Sequence, residues 1–225
     1  MRDGLMDDEK RDCCAADPRI ARHFDDRYRD LDTTGELPEM VAVSRDLLGL
    51  LSDVAEVRPT VLELGCGTGG LTVELLKGGA TWADGVDLSA ESLSVARRRA
   101  DEAGVGDRVQ FQVGDGALAQ ISLHDWVVLD RVICCYAHVD SLLGNAISAA
   151  GSRFIFSVPH DRGWRGLVNR TIVTVENATD RFRGRPCPGY THSIAKIERR
   201  LADAGFGRLR TATVGLWYAA VFERT

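Results

Sequence analysis

The chain has 225 residues and 44% apolar content, enough for one sizeable core and short for two. Its formal charge of −5 removes the attraction that a nucleic-acid backbone requires. The opening stretch MRDGLMDDEKRDCC puts charges where a secretory leader carries its apolar core, and nothing later reaches membrane-spanning length, so a cytoplasmic protein, monomeric or homodimeric, is expected.

Residues 1–16 read as a tail, and Cys13 and Cys14 within it, like Cys66, Cys134, Cys135 and Cys187, have no C-x-x-C spacing. No metal site is expected. Asp17 and Pro18 then supply an N-cap and a first-turn proline for a helix with Ile20, Phe24, Tyr28 and Leu31 on one side. A second helix is expected from Glu36 to about Val54, with Met40, Val43, Leu47, Leu48 and Leu51 inward, so that residues 17–57 form a helical lid.

After Pro59 the run TVLEL suits a strand buried on both faces. From there the chain alternates: helix LTVELLKGG, strand TWADGVDL, helix SAESLSVARRRADEAG, strand RVQFQVGD, strand DWVVLDRV, helix VDSLLGNAISAAG and strand SRFIFSVP. That rhythm predicts βαβ units on a doubly wound, mostly parallel, Rossmann-like sheet. Residues 160–190 interrupt it with a helix-forming run and a Gly, Pro and Arg loop, read as an inserted substrate cover. The helix THSIAKIERRLADAGF and two closing strands follow, completing seven strands of which the last is antiparallel.

The stretch VLELGCGTGG carries the chemistry. Gly65, Gly67 and Gly70 satisfy a dinucleotide fingerprint, and the same loop read from Glu63 fits an S-adenosylmethionine (SAM) site. Glycines permit close backbone approach and the following helix offers unpaired N–H groups, which suits either ligand. Glu63 separates the readings: a carboxylate repels a pyrophosphate but attracts the sulfonium and ammonium groups of SAM. Asp87 ends the second strand, where an acid reaches ribose hydroxyls, and Asp115 ends the third, where one can accept from an adenine amino group.

With LELGCGTG at 62–69, GVDLS at 85–89, GD at 114–115 and HDWVVLDRV at 124–132, the sequence resembles the class I SAM-dependent methyltransferases from about residue 20 to its end. The resemblance implies that Glu63, Gly65, Cys66 and Gly67 surround the methionine portion, Asp87 and Leu88 the ribose, and Asp115 and Gly116 the adenine. It also implies that Asp130 and Arg131 border the methionine end and that Tyr28 closes over the ligand. Within that class the length and motif order resemble the magnesium-protoporphyrin O-methyltransferases, but the Ile-His-Tyr-Pro run of that group is here Cys134-Cys135-Tyr136-Ala137, with Cys135 in place of the histidine.

Methyl transfer from SAM is an in-line displacement, and a base is needed only for a protonated nucleophile. Position after the fourth strand selects Cys135, Tyr136 and His138 as candidates, each of which has a plain structural reading as core filler or helix-start residue. His160, Tyr190 and His192 lie further along. The arginines of the 160–190 segment suit a carboxylate-bearing small-molecule acceptor, or simply a solvated basic face. Of Arg97, Arg98 and Arg99 at least two must face water, and none is assigned a function. An NAD-dependent oxidoreductase and a non-catalytic SAM-binding module are the competing readings.

Overall fold

A computed structural model describes residues 18–34, 37–184 and 188–225. The expected tail, Cys13, Cys14, Cys187, Glu36 and the Leu31 side chain lie outside the described parts.

Seven strands form one sheet in the order β3-β2-β1-β4-β5-β7-β6. They are β1 Thr60–Leu64, β2 Trp82–Asp87, β3 Val109–Val113, β4 His124–Asp130, β5 Ala150–Pro159, β6 Phe206–Val214 and β7 Trp217–Arg224. The first five are parallel, and β7 runs antiparallel to both β5 and β6. This is the doubly wound sheet with an antiparallel last strand that the alternating pattern predicts. The order reverses between β1 and β4, which opens a crevice beyond their carboxyl ends.

Both faces are covered, which explains the nearly continuous apolar strands. On one face Leu62, Leu64, Val127, Leu129, Phe154 and Phe156 pack under helices α6 (Asp140–Ala149) and α8 (Ile194–Asp203). On the other, Val61, Trp126, Val128 and Ile155 pack under α2 (Ala42–Gly49), α4 (Gly70–Gly78) and α5 (Ala90–Glu102). Helix α1, Pro18–Thr34, packs on α5. Residues 163–182 are a single long helix, α7. No described helix is long and apolar enough to cross a membrane.

The second helix departs from expectation. It ends at Gly49, and after turns at residues 50–53 a separate short helix, α3, covers Val54–Val57. The reason is tertiary: Arg210 donates to the Leu50 carbonyl at 2.8 Å, and Asp53 is drawn to Arg153 at 2.8 Å and Arg210 at 3.1 Å. The apolar periodicity runs through this break because both pieces face the same core.

Candidate active site

The glycine loop turns sharply off β1, with Gly65 at φ 75°, Gly67 at 52° and Gly69 at 71°. All three values favour glycine. At Gly65 the demand is doubled, since a Cβ there would stand 2.1 Å from a Val132 methyl. Above Gly67 lies open space, so its bare backbone forms a floor that a ligand can approach. The loop hangs from β2: the Gly65 and Cys66 N–H groups donate to the Val86 carbonyl at 2.6 and 3.1 Å, and the Gly67 N–H donates to Asp87 Oδ2 at 2.8 Å. Asp87 Oδ1 accepts from the Ser89 N–H at 2.9 Å and the Ser92 hydroxyl at 3.1 Å. Asp87 thus joins loop, strand and helix start, and burial raises its pKa.

Two cavities share this floor. One, of about 710 Å³, is bounded by Phe24 and Tyr28 from α1, by Gly65 and Gly67, by Asp87 and Leu88, by Gly114 and Gly116, and by Asp130, Arg131, Val132, Cys135 and Tyr136. The other, of about 1020 Å³, lies toward the N-terminal connector and is lined by Arg27, Tyr28, Ser44, Glu63, Cys66, Arg99, Asp130 and Arg131 among others.

The acids differ in their commitments. Glu63 is buried beneath the loop, accepts from the Thr72 hydroxyl, and has its pKa pushed up to about 8 by burial, with the nearby Asp130 charge adding to the rise. Asp130 accepts from the hydroxyls of Ser44 on α2 and Ser157 on β5. The next residue, Arg131, holds a left-handed φ of 59° and donates its N–H to Ser157 Oγ at 2.9 Å, a strained backbone at the cavity wall. Asp115 is buried and is not among the side chains lining either cavity; its Oδ1 accepts from the Tyr136 hydroxyl at 2.7 Å and the Ala117 N–H at 2.8 Å. Its neighbours Gly114 and Gly116 line the first cavity instead. Cys66 is buried, with its thiol pKa raised by that burial.

Of the candidate bases, Tyr136 lines the first cavity with its hydroxyl turned to Asp115, and Cys135 lines it with Sγ 3.8 Å from the Arg131 carbonyl. His138 is exposed and outside the lining of both cavities. His192 Nε2 meets the Tyr136 carbonyl at 2.8 Å, and the Tyr190 N–H donates to the Cys134 carbonyl at 2.8 Å, so the segment after α7 buttresses this turn. His160 stands edge-on to Tyr218. None of residues 160–184, which include α7, is among the lining of either cavity.

Sequence reasoning missed several contributors. Arg99, to which the sequence assigns no function, donates to the Thr68 carbonyl at 2.9 Å and the Pro38 carbonyl at 2.6 Å, clamping the glycine loop to the connector before α2. Arg97 likewise donates to the Phe111 carbonyl at 3.1 Å. Asp25 on α1 accepts from the Ser89 hydroxyl at 2.7 Å and so fastens α1 to the start of α5. Phe24 belongs to the apolar row of α1, and that periodicity does not distinguish its place at the first cavity from simple packing.

Residues 61–150 match the family model described as a methyltransferase domain. A magnesium-protoporphyrin O-methyltransferase of Rhodobacter capsulatus is 30% identical over 153 residues, 62% of this chain and 65% of that protein. A ribosomal protein L11 methyltransferase of Pasteurella multocida is 36% identical over 62 residues, so the chain spans about a fifth (21%) of that relative's length. Among solved structures, magnesium protoporphyrin IX methyltransferase from Synechocystis PCC 6803 with bound SAH (S-adenosylhomocysteine) superimposes with a TM-score of 0.70 at 21% identity, covering 92% of this chain and 98% of that one. These matches set the dinucleotide reading of the loop aside. Residues 61–150 therefore match a methyltransferase domain, and the chain has the fold of the solved magnesium protoporphyrin IX methyltransferase.

Proposed function

We propose that the protein transfers the methyl group of SAM to an oxygen, sulfur or nitrogen of a small-molecule metabolite. The observation that carries this reading is the glycine floor at Gly65 and Gly67 with three acids, Glu63, Asp87 and Asp130, gathered around it. When bound, SAM supplies an activated methyl group. Asp87 fixes the loop that accepts the ligand, Asp130 favours its cationic end, Glu63 braces the loop from below through the Thr72 hydroxyl, and Arg27, Arg99 and Arg131 give the second cavity positive charge for a carboxylate. Phe24 and Tyr28 on α1 cover the first cavity and exclude water.

The fold's likeness to a magnesium protoporphyrin IX methyltransferase supports a small-molecule acceptor; the arginines of residues 160–184 line neither cavity, so a preference for a carboxylate-bearing acceptor rests on Arg131, which lines both. Tyr136 and Cys135, which line the first cavity, are the candidates to contact it; His138 is not among the lining of either cavity. No general base is required for an acceptor already ionised when bound, so alignment is the main contribution of the protein.

Calorimetric titration of the pure protein with SAM, S-adenosylhomocysteine and NAD, repeated on Asp87→Ala, tests the reading. Adenosyl ligands should bind in the micromolar range and the variant should lose them. Binding of NAD alone would overturn it.

A further inference from the structure

Helix α7 has two faces of opposite character. Its inner face is bolted to the carboxyl edge of the sheet: the Asn169 amide donates to the His160 and Leu216 carbonyls at 2.9 and 2.8 Å, and Asn177 exchanges bonds of 2.8 and 2.9 Å with the Gly189 backbone. The outer face is apolar. Trp164, Val168, Ile172, Val175 and Phe182 follow one another at intervals of three, four or seven residues, and Leu167 joins the same side. Trp164 is 62% exposed, Leu167 69%, Val175 60% and Phe182 94%. These six large apolar side chains share one face of the helix, with Thr171, Ala178 and Thr179 exposed among them, and are more than the scattered single residues of an ordinary surface.

The flanks of this stripe are basic. At about 100° per residue, Arg165 and Arg183 border it on one side and Arg170 and Arg181 on the other, with Glu176 the one acid on these borders. The Arg165 guanidinium lies 4.6 Å from the Trp164 ring, holding positive charge at the edge of the apolar strip. The whole chain carries −5, so this positive rim is local. An apolar stripe between arginine borders fits the boundary of an anionic bilayer, where acyl chains receive the stripe and headgroup phosphates the borders. A second copy fits less well: the Arg170 and Arg181 border offers no acid to its own counterpart.

We propose that the outer face of α7 docks on anionic membrane surfaces, lying in the interface without spanning it. The test is co-sedimentation of the full chain with vesicles of equal parts phosphatidylcholine and phosphatidylglycerol, against vesicles of phosphatidylcholine alone. The wild type should bind the mixed vesicles about tenfold better, and less so as salt rises. The double variant Leu167→Asp, Val175→Asp should fall to background while its thermal melt is unchanged, since both side chains point to solvent. Absence of binding to the mixed vesicles would overturn the proposal, as would binding that survives the double variant. So would a concentration-dependent dimer, seen by sedimentation velocity, that the double variant abolishes. Vesicle binding is read without SAM, so failure here leaves the proposed methyl transfer untouched.

Discussion

Burial keeps the Glu63 carboxyl protonated to about pH 8 against an ordinary 4.5, and the Asp130 charge strengthens the effect. In the unfolded chain the proton leaves near 4.5; in the folded one it stays until about 8. Between those values the folded state binds the extra proton, so stability falls as pH rises through this window and levels off above it. Glu63→Gln keeps an acceptor for the Thr72 hydroxyl while removing the titration. The variant's melting temperature should therefore decline less than the wild type's between about pH 5 and about pH 9, by an amount corresponding to a few kcal/mol at the alkaline end. Differential scanning calorimetry over a pH series checks this; parallel curves would mean that Glu63 ionises as an ordinary carboxylate. The residue identity was readable from the loop motif, but its neutral state was not, because burial and the Asp130 neighbour come from tertiary packing.

The strands and their mostly parallel arrangement were legible because a parallel sheet covered on both faces demands apolar runs, and TVLEL and WVVLD are such runs. The ends of those strands placed Glu63, Asp87 and Asp130 near one crevice for the same reason. What stayed hidden were bonds between distant elements: Ser44 to Asp130, Arg99 to Pro38 and Asp25 to Ser89 join residues 61 or more positions apart. The break after α2 was hidden likewise, since its cause is Arg210, far along the chain. Asp25 offers a test at this scale. Its carboxylate accepts from Ser89 Oγ at 2.7 Å and holds α1, with Phe24 and Tyr28, over the first cavity. Asp25→Ala should weaken SAM binding by about fivefold, the worth of one such hydrogen bond, and speed amide exchange within residues 18–34. An unchanged exchange pattern in that helix would show that packing on α5 alone secures it.

The molecule as a whole is closed at the other end of the sheet by charge. Asp53, in the turn before α3, receives both Arg153 guanidinium nitrogens at 2.9 and 2.8 Å and Arg210 at 3.1 Å, while Arg153 also donates to Glu223 at 3.0 Å. One carboxylate thereby joins the N-terminal helices to β5, β6 and β7. Arg153 is buried and its guanidinium lies 4.7 Å from the Trp126 ring, so it cannot turn to water if its partner is lost. The Arg153 hydrogen bonds hold the Asp53 carboxyl well below the usual carboxylate range, against the opposing effect of burial. Its contribution is therefore present above the ordinary pKa of 3.8 and lost as pH falls below it. Asp53→Asn should cost about 2 to 3 kcal/mol at neutral pH, somewhat less than a fully broken buried pair because Glu223 remains, and lower the melting temperature by roughly 5 to 10 °C. The deficit should shrink toward acid pH, where the wild type loses the same interaction. Since the network lies away from the glycine floor, SAM affinity should be preserved. A variant that loses ligand binding along with stability would show that the two ends of the sheet are coupled rather than independently built.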